Sequence, residues 1–163
     1  MSDRLSRRSV LATASAVAAV SVAGCLGGDS TEEWAHPGTL SATAHQYNSP
    51  NCDCCDVYEQ YLDDHLDGSL SASVPEEIGA VKADLGVPGD LQSCHTVEIG
   101  PYFVEGHVPV ETIATLLDDA PDIAGIALPG MPAGSPGMGG EKEGTWTVYA
   151  VGADGGVEPF VQL

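Results

Sequence analysis

Three cysteines within four residues, Cys52-Asp53-Cys54-Cys55, constrain this chain more than any other feature. They follow the turn sequence Asn48-Ser49-Pro50-Asn51, which ends a strand pattern from Leu40 to Tyr47. An apolar stripe at helical spacing then runs from Val57 to Leu66, and Gly68 is placed to stop that helix. The sequence therefore predicts a strand, a turn, the cysteines and a helix, in that order.

The start of a helix is a position that favours reactive sulfur. Backbone N–H groups and the helix dipole stabilise a thiolate and lower the thiol pKa, which suits redox chemistry or metal binding. A structural disulfide is a third interpretation, since exported proteins commonly contain one. An oxidoreductase needs only a pair such as Cys52 and Cys55, and a further adjacent cysteine would invite wrong disulfides. We favour metal binding and keep the oxidoreductase and the disulfide-stapled module as alternatives.

The adjacency of Cys54 and Cys55 bears on the kind of metal centre. We expect their side chains to point in different directions, and therefore to bridge several ions more readily than to chelate one. Thiolates are soft donors that select Cu(I), or zinc where four surround one ion. Because Cu(I) accepts two or three sulfurs, bridging thiolates can assemble a polynuclear Cu(I) centre.

Further soft donors lie downstream. Cys94 and His95 stand at the start of a predicted strand and add a thiol and an imidazole. His107 follows the neighbouring strand, where it is either a ligand or a helix cap. Met131 and Met138 lie in a loop rich in Gly and Pro that offers them little core to fill, so their thioethers are candidates for capturing a soft metal.

The chain is expected to form one domain, because 163 residues leave little room for two hydrophobic cores once a leader is removed. We predict an α/β fold with the thioredoxin-like order β-α-β-α-β-β-α and a C-terminal β-hairpin extension. After the first helix, the assigned segments are a strand at 69–74, a helix opened at 75–77 and ended at 86–88, strands at 93–99 and 102–108, a helix from 109, a shaped loop at 123–138, and strands at 146–151 and 157–161.

The amino terminus carries an export signature. All three arginines occur before residue 10, and the apolar run from Val10 to Ala23 is shorter than the roughly 20 residues that span a bilayer. The segment looks like a twin-arginine signal. Val22-Ala23-Gly24-Cys25 resembles a lipoprotein processing box, with Cys25 as the lipid attachment site. We expect a signal at 1–24, a lipid-anchored flexible linker at 25–39 and the metal-binding domain at 40–163, held at the outer face of the cytoplasmic membrane.

Charge narrows the set of partners. The chain has 5 cationic and 24 acidic side chains, a formal net charge of -19. Nucleic acid is excluded, since phosphate binding needs clustered Lys and Arg. The acids are scattered, and their mutual repulsion is tolerable where molar salt shortens the screening length to about 3 Å. We therefore hypothesise a halophilic source.

Several of these segments resemble the predicted metal-binding domain of periplasmic CopG-type copper-resistance proteins. The matching segments are Ser49 to Cys55, Gly86-Val87-Pro88, Ser93 to Thr96, Val104 to Pro109 and the Pro129 to Met138 loop. The chain departs from the family pattern at Asp53, where glycine is usual, and at Val57-Tyr58, where the family has a tryptophan.

The resemblance implies a thioredoxin-like fold whose cysteines hold copper, with Cu(I)/Cu(II) redox activity as a further possibility. It assigns ligation to Cys52, Cys54, Cys55 and Cys94. His95 and His107 are secondary candidates, and Met131 and Met138 are a docking or entry point. Copper ions and proteins that donate or accept copper are the expected partners.

Overall fold

The computed structural model describes Trp34 and residues 36–163, which form one mixed sheet with helices on both faces. The elements are β1 (Ala44–Asn48), α1 (Asp53–Asp63), β2 (Leu70–Ser73), α2 (Ile78–Asp84), β3 (His95–Ile99), β4 (Tyr102–Glu105), α3 (Val110–Asp119), β5 (Gly125–Ala127), β6 (Thr147–Val151) and β7 (Val157–Gln162).

The seven strands lie in the order β2-β1-β3-β4-β5-β6-β7. β1 pairs parallel with β2 and antiparallel with β3, and β3 and β4 form an antiparallel hairpin. β5 joins β4 in parallel, and the antiparallel pair β6 and β7 completes the sheet. The predicted α/β class is confirmed, including the β-α-β-α-β-β-α order and the C-terminal hairpin. Its thioredoxin-like assignment stays a prediction.

Two local predictions were wrong. Residues 125–127, assigned to a loop, form β5, a buried strand of Gly, Ile and Ala that is too short to show alternation. Gly125 is required there because a Cβ would lie 2.3 Å from the carbonyl oxygen of Phe103 on the neighbouring strand. Helix α1 ends at Asp63 and not near Gly68, and Leu66 instead forms an isolated parallel bridge with Leu40.

Apolar side chains form a core on each face of the sheet. The larger cluster joins α1 and α3 to the sheet, and the smaller one includes Phe103 and the segment that follows α2. Val104 and Phe103, adjacent on β4, belong to different clusters because successive side chains of a strand point to opposite faces. None of the helices in the described part of the chain is both long and apolar enough to cross a membrane.

Trp34 packs against the domain, although its sequence context predicts no role for it. Its ring lies 5.6 Å from that of Trp146, and its Nε1 donates a hydrogen bond to the Gly134 carbonyl oxygen at 2.7 Å. The Tyr61 hydroxyl donates to the Trp34 carbonyl oxygen at 2.9 Å. Trp34 thereby links α1 to the loop of residues 129–138, which we call the Gly/Pro loop.

These contacts predict the effect of two substitutions. Trp34→Ala removes the ring contact and the hydrogen bond, and we expect it to lower the free energy of unfolding by about 2 kcal/mol, because the indole is only half-buried. Trp34→Phe keeps an aromatic ring and should lose only about 1 kcal/mol for the missing hydrogen bond. Urea denaturation in high salt measures both values, and equal stability of Trp34→Ala and wild type would contradict the contact.

Candidate metal centre

The cysteine motif begins helix α1. Cys52 is the N-cap residue, and its carbonyl oxygen accepts a hydrogen bond from the Cys55 amide at 3.0 Å. Cys54 and Cys55 lie in the first turn, as the sequence predicted. Cys52 and Cys55 are joined by a disulfide, while Cys54 and Cys94 are free thiols.

The structure brings all four of these cysteines together. The Cys54 sulfur lies 3.5 Å from that of Cys52 and 3.8 Å from that of Cys94, and the four sulfurs are within 4.8 Å of one another. We expected the adjacent side chains of Cys54 and Cys55 to point in different directions, but their sulfurs lie close together. A tetrahedral ion with metal–sulfur bonds of about 2.3 Å spaces its sulfurs by about 3.8 Å. Once the Cys52–Cys55 disulfide is reduced, the set can surround one ion as well as bridge several.

Strand pairing explains how the distant Cys94 reaches the helix. The antiparallel pairing of β1 with β3 places His95 opposite Asn48, at the end of β1 where the cysteine turn begins. The Ser49 amide continues this pairing by donating to the Cys94 carbonyl oxygen at 2.9 Å. The start of β3 and the start of α1 therefore meet at one edge of the domain.

Two buried imidazoles adjoin Cys94. Its sulfur lies 3.3 Å from Nδ1 of His95 and 3.2 Å from Nε2 of His107, and the two rings meet edge to face at 4.7 Å. Nδ1 of His107 donates to the Pro136 carbonyl oxygen at 2.7 Å, which leaves its Nε2 without a proton in the neutral ring. Cys94, His95 and His107 form a second set of potential ligands that shares Cys94 with the first.

Burial sets the protonation of these groups. Desolvation lowers the pKa of His95 well below its ordinary value, helped by the nearby His107 and Lys82, and it also lowers the pKa of His107. Both rings are therefore neutral at pH 7, the form that binds metals. Burial, reinforced by the neighbouring Cys54, raises the pKa of Cys94 to about 12, so a metal ion bound at this sulfur must displace its proton.

The Gly/Pro loop covers the amino end of α1. Its Pro136 accepts the hydrogen bond from His107, and a Cβ on Gly137 would lie 3.1 Å from the Cys54 carbonyl oxygen. Met138, next in the chain, is half-buried, whereas Met131 is 39% exposed. Metal capture by the two thioethers stays a prediction.

The close approach of Gly137 predicts a loop variant. Gly137 has a φ of +77°, and an added Cβ would lie 3.0 Å from the Tyr58 amide nitrogen as well as near Cys54. We expect Gly137→Ala to lift the loop from α1 and to cost about 1–2 kcal/mol. The Cys54 thiol of the disulfide-bonded protein should then react faster with iodoacetamide, as followed by peptide mass spectrometry.

Gly130→Ala is the matched control. Gly130 has a similar φ of +83° in the same loop, but an added Cβ would meet nothing within 4 Å. The control therefore carries the same backbone strain without the clash against α1. Equal alkylation rates of Cys54 in the two variants would show that the Gly137 contact does not cover the site.

The sequence analysis missed two polar groups beneath the site. The Gln46 side-chain amide donates to the Cys55 carbonyl oxygen at 2.9 Å and to Oδ1 of Asn48 at 2.7 Å. Tyr58 donates its hydroxyl to the Val108 carbonyl oxygen, and its ring lies 4.5 Å from that of His95. The sequence signal that could have revealed Gln46 was a glutamine and an asparagine two positions apart on one strand. Their side chains lie on the same face of the sheet, and a buried face is ordinarily apolar.

These features define a small α/β domain with a partly buried cluster of sulfur and imidazole groups whose spacing could hold a metal ion. Two solved structures of a copper resistance protein CopG, designated form 2 and form 1, share 34% identity with the chain at a TM-score of 0.69. The alignments cover 76% of this chain and 99% and 98% of theirs. The chain belongs to the CopG-type copper-resistance family, which confirms the resemblance seen in the sequence.

A family model points to the same part of the chain. The family described as a protein of unknown function, DUF411, matches residues 91–138. This range includes Cys94, both site histidines and the Gly/Pro loop. No curated protein sequence matches the chain.

Proposed function

We propose that this protein binds copper and sequesters, transfers or redox-buffers Cu(I) through Cys52, Cys54, Cys55 and Cys94. The observation that carries the proposal is the convergence of the four sulfurs within 4.8 Å of one another. Soft thiolates favour Cu(I), and the similar solved proteins are named for copper resistance. Reduction of the Cys52–Cys55 disulfide makes all four thiols available.

The donor set also supports a polynuclear centre. Cu(I) is satisfied by two or three sulfurs, so four sulfurs at this spacing can be shared among several ions. His95 and His107 extend the set on the side of Cys94, where their rings are buried and neutral. Met131 and Met138 serve as a docking or entry point in the Gly/Pro loop.

An anaerobic Cu(I) titration of the reduced protein in high salt tests this function. We expect more than one Cu(I) per chain, bound tightly enough to compete with a Cu(I) chelator. The variant with all four cysteines changed to serine should lose this binding. A parallel titration with Zn²⁺ tests for a single tetrahedral site, which would bind one Zn²⁺ per chain. Undiminished Cu(I) binding by the serine variant would defeat the proposal.

A thiol-disulfide oxidoreductase is the second candidate function. The disulfide between Cys52 and Cys55 at the start of a helix favours it, because a C-x-x-C pair in this position is suited to exchange with other thiols. Insulin reduction that survives the Cys54→Ser/Cys94→Ser double substitution would support this activity. Absence of reduction by the wild type would rule it out.

We also propose that the protein is exported and held at the outer face of the cytoplasmic membrane, where it meets copper donor or acceptor proteins. The support is the twin-arginine-type signal and the processing box at Cys25, all of which lie outside the described residues. Mass spectrometry of the membrane fraction should find lipid on Cys25.

The acidic composition supports a high-salt habitat, and circular dichroism should show loss of the fold when molar salt is lowered to millimolar.

A further inference from the structure

A buried ion pair lies behind the metal centre. Nζ of Lys82, on α2, is 2.6 Å and 2.8 Å from the two carboxylate oxygens of Glu105, on β4. The two residues are 2% and 0% exposed. Only one other lysine, Lys142, and no arginine follow residue 10, so a scarce cation is placed in the interior of an acidic protein.

The pair also holds the chain on both sides of Cys94 and His95. The Glu105 carboxylate accepts hydrogen bonds from the backbone amide and hydroxyl of Ser93, the residue before Cys94. It also accepts one from the Thr96 hydroxyl, which in turn accepts one from Lys82 at 2.7 Å. Ser93 and Thr96 flank the two donor residues, so both ends of this short segment are fixed to one carboxylate.

The same carboxylate lies close to the other histidine in sequence. Glu105 precedes His107 by two residues, and its register partner across the hairpin is Thr96. Because paired residues share one face of a sheet, Glu105 and Thr96 lie on the α2 face, while His95 points to the opposite face against Tyr58. The ion pair therefore acts on the site through the backbone of β3 and β4.

We propose that Lys82 and Glu105 are positioning residues that hold Cys94, His95 and His107 at the spacing needed to bind metal. This inference rests on the proposed copper-binding function and adds a determinant to it. A carboxylate accepts several hydrogen bonds at once, which lets Glu105 fix one amide and two hydroxyls. Lys82 supplies the opposite charge that a buried carboxylate needs as a partner. An apolar pair of the same volume would fill the space without fixing the segment.

The test compares copper affinity with stability. Lys82→Met/Glu105→Gln removes both charges together and leaves no unpaired ion. Val148→Ala is the matched control, because Val148 is fully buried but lies on β6, three strands or about 14 Å from β3. For the reduced proteins we measure thermal stability, Cu(I) affinity by competition with a chelator, and the rate of Cys94 alkylation without metal.

We expect the double variant to bind Cu(I) at least about tenfold more weakly, as substitutions of groups that support metal ligands do. Cys94 should also be alkylated faster, while the control keeps wild-type affinity and alkylation rate despite its lower stability. Thr96→Val, which removes one hydroxyl and keeps the ion pair, should weaken binding in the same direction and replaces the double variant if that variant does not fold.

Three results would overturn the positioning role. One is a folded double variant with wild-type affinity, the second is an equal loss of affinity in Val148→Ala, and the third is an unchanged rate of Cys94 alkylation. Failure of the wild-type protein to bind Cu(I) would instead defeat the proposed function. The alkylation rate of the metal-free protein then decides the positioning role by itself.

Discussion

Substitution of Cys94 by serine is expected to weaken Cu(I) binding by at least about 100-fold, equivalent to about 2.7 kcal/mol. Cys94 belongs to both ligand sets, since its sulfur lies 3.8 Å from that of Cys54 and 3.2 Å from Nε2 of His107. A hydroxyl is a hard donor that Cu(I) binds poorly. Competition titration against a Cu(I) chelator under anaerobic conditions measures the loss.

His45→Gln is the control for this prediction. His45 is a potential donor elsewhere in the fold, where its ring nitrogens lie 2.7 Å and 2.8 Å from the hydroxyl oxygens of Ser71 and Ser73. We expect this variant to bind Cu(I) as the wild type does. Comparable affinity in Cys94→Ser, Cys94→Ala and the control would mean that copper binds without the distant thiol.

The second large effect concerns stability. Lys82→Met alone leaves the fully buried Glu105 without its cation, and we expect a loss of about 3–5 kcal/mol in the free energy of unfolding. Adding Glu105→Gln should restore much of it, because no unpaired charge then remains. Urea denaturation of wild type, both single variants and the double variant gives the coupling energy between the two residues.

Salt provides a further check on this pair. Surface ion pairs are screened at molar salt, whereas a buried pair is screened much less. The coupling between Lys82 and Glu105 should therefore persist when sodium chloride is raised. If the two single losses simply add in the double variant, or if the coupling disappears in high salt, the pair is not the buried interaction that the structure shows.

The sequence predicted the features that depend on local pattern. Helical spacing after the cysteine turn placed three thiols at the start of α1, and the strands predicted at 93–99 and 102–108 correspond to β3 and β4. Grouping Cys94 with the other cysteines relied on family resemblance, because spacing along the chain says nothing about which distant segments meet. The pairing of β1 with β3 provides that contact.

Long-range features had no comparable signal. Strand β5 is three small or apolar residues held between two neighbours, and its pairing partners decide its conformation. A lysine on an amphipathic helix is ordinarily exposed, and nothing in the sequence around Lys82 indicates that it is buried. Its partner Glu105 lies on a strand in a different part of the chain. Trp34 likewise finds Trp146 and Gly134 only after the domain has folded.

X-ray absorption at the copper edge of the reduced, Cu(I)-loaded protein tests the central claim most directly. The proposed centre predicts a first shell dominated by sulfur, with copper–copper scattering from ions that share the thiolates of Cys52, Cys54, Cys55 and Cys94. A first shell of nitrogen and oxygen, with no sulfur, would contradict it.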